Sequence, residues 1–230
     1  LIRRAHSAGI KVVAGHTAAT YAECEAGIAA GISQSTHTYN AMSGLHHREP
    51  GTLGSVLSND RVFAQLIADN IHVHPAAMKI LARCKGMART ILITDAMRAV
   101  GLPPGHYDLG GQMVTVVAGL GKGTGECRLA DGTLAGSVLT MEQGLANFGA
   151  ATGLSLAQTW PTTSLTPATA LGLAQERGKL ESGYLADVTL LDEDGDVVAT
   201  VIAGRVVYLR DPERLRANRG DHNPDGPGSL

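Results

Sequence analysis

Over its first hundred residues the sequence alternates short β-branched runs with stretches of helical spacing, and few folds accommodate that rhythm. IKVVAG (10–15), the weaker SQST (33–36), RVFAQLIAD (61–69) and RTILITD (89–95) read as strands. LIRRAHSAG, TYAECEAGIAAGI and PAAMKILARCKG read as helices, the last with Pro75 in its first turn, where a missing N–H is tolerated. Strands separated by helices pair side by side, and short apolar runs of this kind are buried on both faces of a parallel sheet. The pattern predicts an α/β fold.

The ends of these runs carry the chemistry. The first ends in His16, the second in His37, the third in LIADNIH at His72, and the fourth in Asp95. A parallel barrel gathers the C-terminal ends of its strands around one mouth, where catalytic groups collect. Two neutral imidazoles on adjacent strands suit Zn²⁺ or Fe²⁺ with a coordination position left open, so His16 and His37 are the candidate metal ligands. Asp95 is the candidate general base beside that ion. The alternative for TDAM is that Thr94 or Asp95 caps a helix.

The loop STHTYNAMSGLHHREPG (35–51) adds donors for an anion: Asn40, the backbone at Ala41, and the planar fork of Arg48, with His72 joining them. Against this stands a plainer reading in which Arg48 and Glu49 form an exposed ion pair.

After residue 105 the pattern turns to hairpins: HYDLGG, QMVTVVAG and ECRLADGTLAGS read as strands and tight turns. TMEQGLANFGAATG and SLAQTWPTTSLTPATALGL read as helices, the second broken by Pro161 and Pro167, and ADVTLLD, VVATVIAG and RVVYL as a small antiparallel unit. GLGKGTGEC (119–127) departs from the phosphate-loop pattern and reads as a hairpin turn. Residues 210–230 lack apolar periodicity and read as a disordered tail, with its RGD a chance match. A net charge of -2 and 3% aromatic residues argue against nucleic-acid binding. Cys24, Cys84 and Cys127 are too scattered for a disulfide or zinc framework and read as reduced thiols. With no long apolar run and no leader, the reading is a soluble, cytoplasmic protein with no membrane partner.

GHTAAT, THTYNAMSGLHHREPG, LIADNIHV, ITDAM and DGTLAGS, in this order, closely resemble the N-acetylglucosamine-6-phosphate deacetylase family of the amidohydrolase superfamily, from about residue 1 to residue 209. The resemblance implies a distorted (β/α)8 barrel with a small β-sandwich. Residues 1–180 would be part of the barrel, about its last four strands and following helices, and 181–209 would be strands of the sandwich. His16 and His37 match metal ligands, and Asp95 the catalytic acid–base. Asn40, Ala41, Arg48 and His72 match groups that bind the sugar phosphate. Asp69 and Asn70 share that segment, and Leu134, Ala135 and Gly136 match a substrate-contacting loop. The implied reaction is metal-assisted hydrolysis of the acetamide of N-acetylglucosamine 6-phosphate to glucosamine 6-phosphate and acetate, with one or two divalent ions (Zn or Fe). The counterpart of Arg48 can reach a neighbouring subunit's site, which implies a homodimer in the full-length protein.

Measured against that family, the sequence begins just before the fifth barrel strand. The resemblance leaves four strands, a metal-ligating Glu and a carbonyl-polarising His unaccounted for, so the expectation is a fragment inactive on its own. Two alternatives stand beside it: a truncated, non-catalytic paralogue binding amino-sugar phosphates or metal, and a deacetylase of another N-acetyl sugar phosphate.

Overall fold

The computed structural model describes residues 1–119 and 124–211. The chain divides into two compact units, Leu1–Lys179 and a second from Leu180 onward.

The first unit opens as the alternation predicts: α1 (Ile2–Ser7), β1 (Val12–Ala14), α2 (Tyr21–Ala30), β2 (Ile32–Ser35), α3 (Gly51–Ser58), β3 (Phe63–Ile67), α4 (Pro75–Lys85) and β4 (Thr90–Ile93). The four strands form one all-parallel sheet in the order β1-β2-β3-β4. Local chemistry fixes the helix starts. Thr20 and Glu23 close a capping box on α2, while the ring of His74 accepts the Ala76 N–H ahead of Pro75 on α4. No element is assigned from sequence to residues 51–58, which form α3.

Side chains alternate across the sheet. Ala64, Leu66 and Leu92 pack with Val56, Met78, Leu81, Leu145 and Phe148 in the main core. Phe63 and Ile91 point the other way and pack with Ala170. β3 and β4 are therefore buried on both faces, as expected. β1 is not: it is an outer strand of this sheet, and Val13 is 39% exposed.

Beyond β4, β5 (Gly105–Leu109), β6 (Gln112–Ala118) and β7 (Gly125–Arg128) form an antiparallel sheet around Val114, Val116, Cys127 and Met97. Gly110 and Gly111, both at positive φ, make the β5–β6 turn, which matches the twist of a two-residue hairpin. β6 and β7 pair across the segment read as a hairpin turn, whose residues 120–123 lie outside those described. α5 (Met141–Thr152), α6 (Leu156–Thr159), a 3-10 turn at Trp160–Thr163 and α7 (Leu165–Leu171) follow. Pro161 sits at the start of that turn. Pro167 lies in the first turn of α7 and, contrary to expectation, does not break it.

The second unit is an antiparallel sheet of β8 (Val188–Leu191), β9 (Val197–Ile202) and β10 (Arg205–Leu209), in the order β10-β9-β8. The tail and its RGD fall outside the described residues. All three cysteines are free thiols, and no described helix is long and apolar enough to cross a membrane.

Candidate active site

β1 ends at Ala14, β2 at Ser35 and β4 at Ile93, so His16, His37 and Asp95 each stand two residues past a strand on one edge of the parallel sheet. All three hold left-handed backbone, with φ of 40°, 27° and 50°. Tyr39, Ala41 and Asn70 do the same beside them, which puts six of the seven non-glycine residues of positive φ among the described residues on this one rim. Each such residue costs on the order of 1–3 kcal/mol, so the surrounding structure must hold it.

Hydrogen bonds supply that hold. Thr17 N–H donates to the Ala41 carbonyl at 2.9 Å, and Ser43 N–H to the Thr17 carbonyl at 3.1 Å, so the His16 turn is laced to the loop after His37. Thr38 N–H donates to the Gln65 carbonyl at 2.7 Å, and the Tyr39 hydroxyl to the Ala77 carbonyl. At the other end, Ser137 N–H donates to the Asp95 carbonyl at 2.9 Å and its hydroxyl donates to the Thr94 carbonyl. These bracing hydroxyls escape the sequence reading, since a Ser or Tyr that braces a loop looks like any other.

The rings of His16 and His37 stand edge to face, with centroids 4.8 Å apart. His37 is buried, and its Nδ1 has no hydrogen-bond partner. An orphaned buried nitrogen costs about 1–3 kcal/mol unless something binds it. Two imidazoles, one with an unsatisfied nitrogen, fit a divalent cation as two of its ligands. No group of three or more His, Cys, Asp or Glu that could hold an ion occurs among the described residues. Asp95 is exposed, and its carboxylate is engaged by no other described group. The helix-capping alternative does not hold, because a turn leading to β5 follows Asp95. β3 separates β2 from β4, so His37 and Asp95 spring from backbones roughly 10 Å apart across the sheet.

The anion donors are arranged differently from one another. Arg48 is exposed and its guanidinium contacts the Nε2 of His47 at 2.8 Å. The Arg48–Glu49 pair of the plainer reading is not formed. Glu49 instead accepts the N–H groups of Tyr21 at 2.7 Å and Gly51 at 3.2 Å. Asn40 turns both its backbone N–H and its side-chain amide to the His37 carbonyl, bracing the turn, and leaves its amide oxygen free. Ala41 is exposed beside it.

His72 is not at a strand end as expected, because β3 stops at Ile67. The residue two past that strand is Asp69. Its Oδ1 accepts the N–H of Ile71 at 2.9 Å and of His72 at 2.7 Å, and its Oδ2 lies 2.6 Å from the Nδ1 of His72. Burial alone would raise the Asp69 carboxyl, but the His72 ring and these backbone donors outweigh it and hold the group below the usual carboxylate range. Asn70, at φ 65°, makes the tight turn between them. Leu134, Ala135 and Gly136 come in from β7, with Ala135 N–H donating to the Cys127 carbonyl. A Cβ on Gly136, whose φ is 66°, would meet the Asp95 carbonyl at 3.4 Å, so this loop lies directly on the Asp95 backbone.

The amidohydrolase family profile matches residues 2–207. N-acetylglucosamine-6-phosphate deacetylase of Vibrio furnissii is 40% identical over 90% of this chain and 50% of its own length. N-acetylgalactosamine-6-phosphate deacetylase of Escherichia coli O157:H7 is 40% identical over 89% of this chain and 52% of its own. Among solved structures, an aspartate-to-alanine mutant of the Mycobacterium smegmatis N-acetyl-D-glucosamine-6-phosphate deacetylase, in complex with N-acetyl-D-glucosamine-6-phosphate, superposes with a TM-score of 0.81 at 38% identity. That match covers 90% of this chain and 53% of the other. The chain thus spans about half the length of these relatives.

Proposed function

The chain belongs to the amidohydrolase family, and from that premise we propose that it carries the acid–base and substrate-anchoring part of an N-acetylglucosamine-6-phosphate deacetylase. The four parallel strands are read as the C-terminal half of a (β/α)8 barrel, and the unit from Leu180 as strands of its small β-sandwich. The observation that carries the proposal is the shared rim, where a free carboxylate at Asp95 and a paired His16 and His37 leave one edge of one sheet.

His16 and His37 would hold a divalent ion, zinc or iron, and a further ligand from outside the described residues would complete its shell. When bound, such an ion supplies Lewis-acid polarisation of a carbonyl and of water. Asp95 takes a proton from the water that attacks the acetamide carbon, and then delivers it to the nitrogen as the C–N bond breaks, leaving acetate and the free amine. The backbone-locked turn at Asp95 keeps that carboxylate in place without using either of its oxygens. Arg48, the Asn40–Ala41 turn and His72 grip the phosphate, so that binding energy remote from the amide holds it in register. The exposed position of Arg48 suits a site shared between two copies in a homodimer. A phosphorylated sugar does not cross membranes unaided, which supports the reading of a cytoplasmic reaction.

A second reading, deacetylation of the galactosamine epimer, is favoured by the Escherichia coli O157:H7 relative. The test is acetate release from both epimers by the protein at its natural length, with zinc or iron supplied. A higher kcat/KM for the glucosamine epimer is expected, the reverse order selects the second reading, and no acetate from either overturns both.

A further inference from the structure

Asp69 is buried, and both its oxygens are spent within the chain. Three of its roughly four acceptor positions are thus taken up by its own turn. His72, almost as buried, gives its Nδ1 to Asp69, while its other ring nitrogen, Nε2, has no hydrogen-bond partner among the described residues and is not sealed from solvent. We propose that Asp69 is a positioning residue, which holds the Nδ1–H of His72 so that, with phosphate bound, the ring carries a second proton on Nε2 and donates it to a phosphate oxygen of the substrate. The inference rests on the reading of His72 as part of the phosphate grip.

An ionised carboxylate can only accept, so the 2.6 Å contact requires the proton on Nδ1. That selects one ring flip and leaves Nε2 as the nitrogen that meets the ligand. The same carboxylate closes the turn through the N–H groups of Ile71 and His72, so His72 is held at both its ring and its backbone. Asp69 occupies on β3 the position that His16, His37 and Asp95 occupy on their strands, so the orienting group stands on the rigid edge of the sheet and His72 hangs from it.

Asp69→Asn separates the two roles. The amide oxygen still accepts the turn N–H groups, but its NH₂ donates to Nδ1, so the ring can carry only the Nε2 proton and stays neutral. The protein is labelled with ¹⁵N-histidine, and the protonation site of His72 is read by NMR before and after adding inorganic phosphate. The unaltered protein should show a proton on Nδ1 throughout and, once phosphate is added, a second proton on Nε2. D69N should keep the ring neutral with its one proton on Nε2 and weaken phosphate binding by about tenfold, because the charged donor becomes a neutral one. H72N should weaken it to a similar degree, and the double variant no further, because the two residues act as one unit. A bare Nε2 in the phosphate-bound unaltered protein, an unchanged phosphate affinity in D69N, or losses that add in the double variant would each overturn the proposal. Since none of these readouts uses acetate, a failure of the deacetylase reading leaves them standing, and the reverse is also true.

Discussion

The hydroxyl of Tyr39 donates to the carbonyl of Ala77 at 2.8 Å, joining residues 38 positions apart in the chain. It ties the turn that carries His37, Asn40 and Ala41 to α4, the helix that follows His72. Burial, with the Cys84 thiol adding to it, pushes the Tyr39 phenol up to about 12. The unfolded chain would release this proton near pH 10 while the folded one keeps it, so the bond's contribution is complete below about pH 10 and is lost as pH rises toward 12. Tyr39→Phe should lower stability by about 1 kcal/mol at neutral pH and flatten the alkaline fall, as measured by urea unfolding at several pH values. An alkaline limb identical to that of the parent would assign the fall to another group.

Lys85 is buried on α4 and donates its ammonium to the carbonyls of Val56 at 2.9 Å and Asn59 at 2.6 Å, at the end of α3. Burial lowers its affinity for the proton, yet the ammonium serves the Val56 carbonyl, which the helix leaves unpaired, and the Asn59 carbonyl, which also accepts the Val62 N–H. Lys85→Met fills the space but abandons both acceptors. We expect a loss of about 2 kcal/mol, or a melting point lower by roughly 4–8 °C. An unchanged midpoint would mean that water replaces the ammonium there.

The sequence made His16, His37 and Asp95 legible because each follows a strand whose apolar run ends visibly, and the structure puts all three two residues on. His72 was misplaced for a local reason. The turn after β3 is set by side-chain-to-backbone bonds from Asp69, which leave no mark in hydrophobic periodicity. The segment forming α3 contains two glycines in eight residues, and it is helical through packing, with Gly51 to Val56 buried, more than through propensity. Adjacent opposite charges at Arg48 and Glu49 suggest a pair, but the backbone donors of Tyr21 and Gly51 claim the carboxylate. Exposure of β1 was unreadable, since an outer strand and a central one can share the same composition.

The Arg48 guanidinium is exposed and, among the described residues, held only through His47, so its removal should leave the fold unchanged. If a phosphate is the handle, Arg48→Ala should raise KM by roughly 10–100-fold, the loss of a charge-assisted fork, with a smaller change in kcat. The comparison is a steady-state assay of acetate release in the protein at its natural length. A KM that stays where it was would point to a neutral sugar and remove the phosphate from the reading.

Asp95→Asn tests the chemical step itself. The structural bonds at this position run through the main chain: Ser137 N–H reaches the Asp95 carbonyl, and the Ser137 hydroxyl reaches the carbonyl of Thr94. The carboxylate takes part in none of them, so the amide should sit in the same left-handed turn and melt at the parent's temperature. What it cannot do is accept a proton from water. We expect kcat to fall by about 10²–10⁴, the usual share of a positioned acid–base, with KM close to that of the parent because the phosphate grip is untouched. Ser137→Ala supplies the contrast: it keeps the carboxylate and the N–H bond to the Asp95 carbonyl but loses the hydroxyl's bond to the Thr94 carbonyl, so it should lose part of kcat together with some stability. Full activity in the asparagine variant would mean that a different group handles the proton, and Asp95 would then be only a strand-end turn.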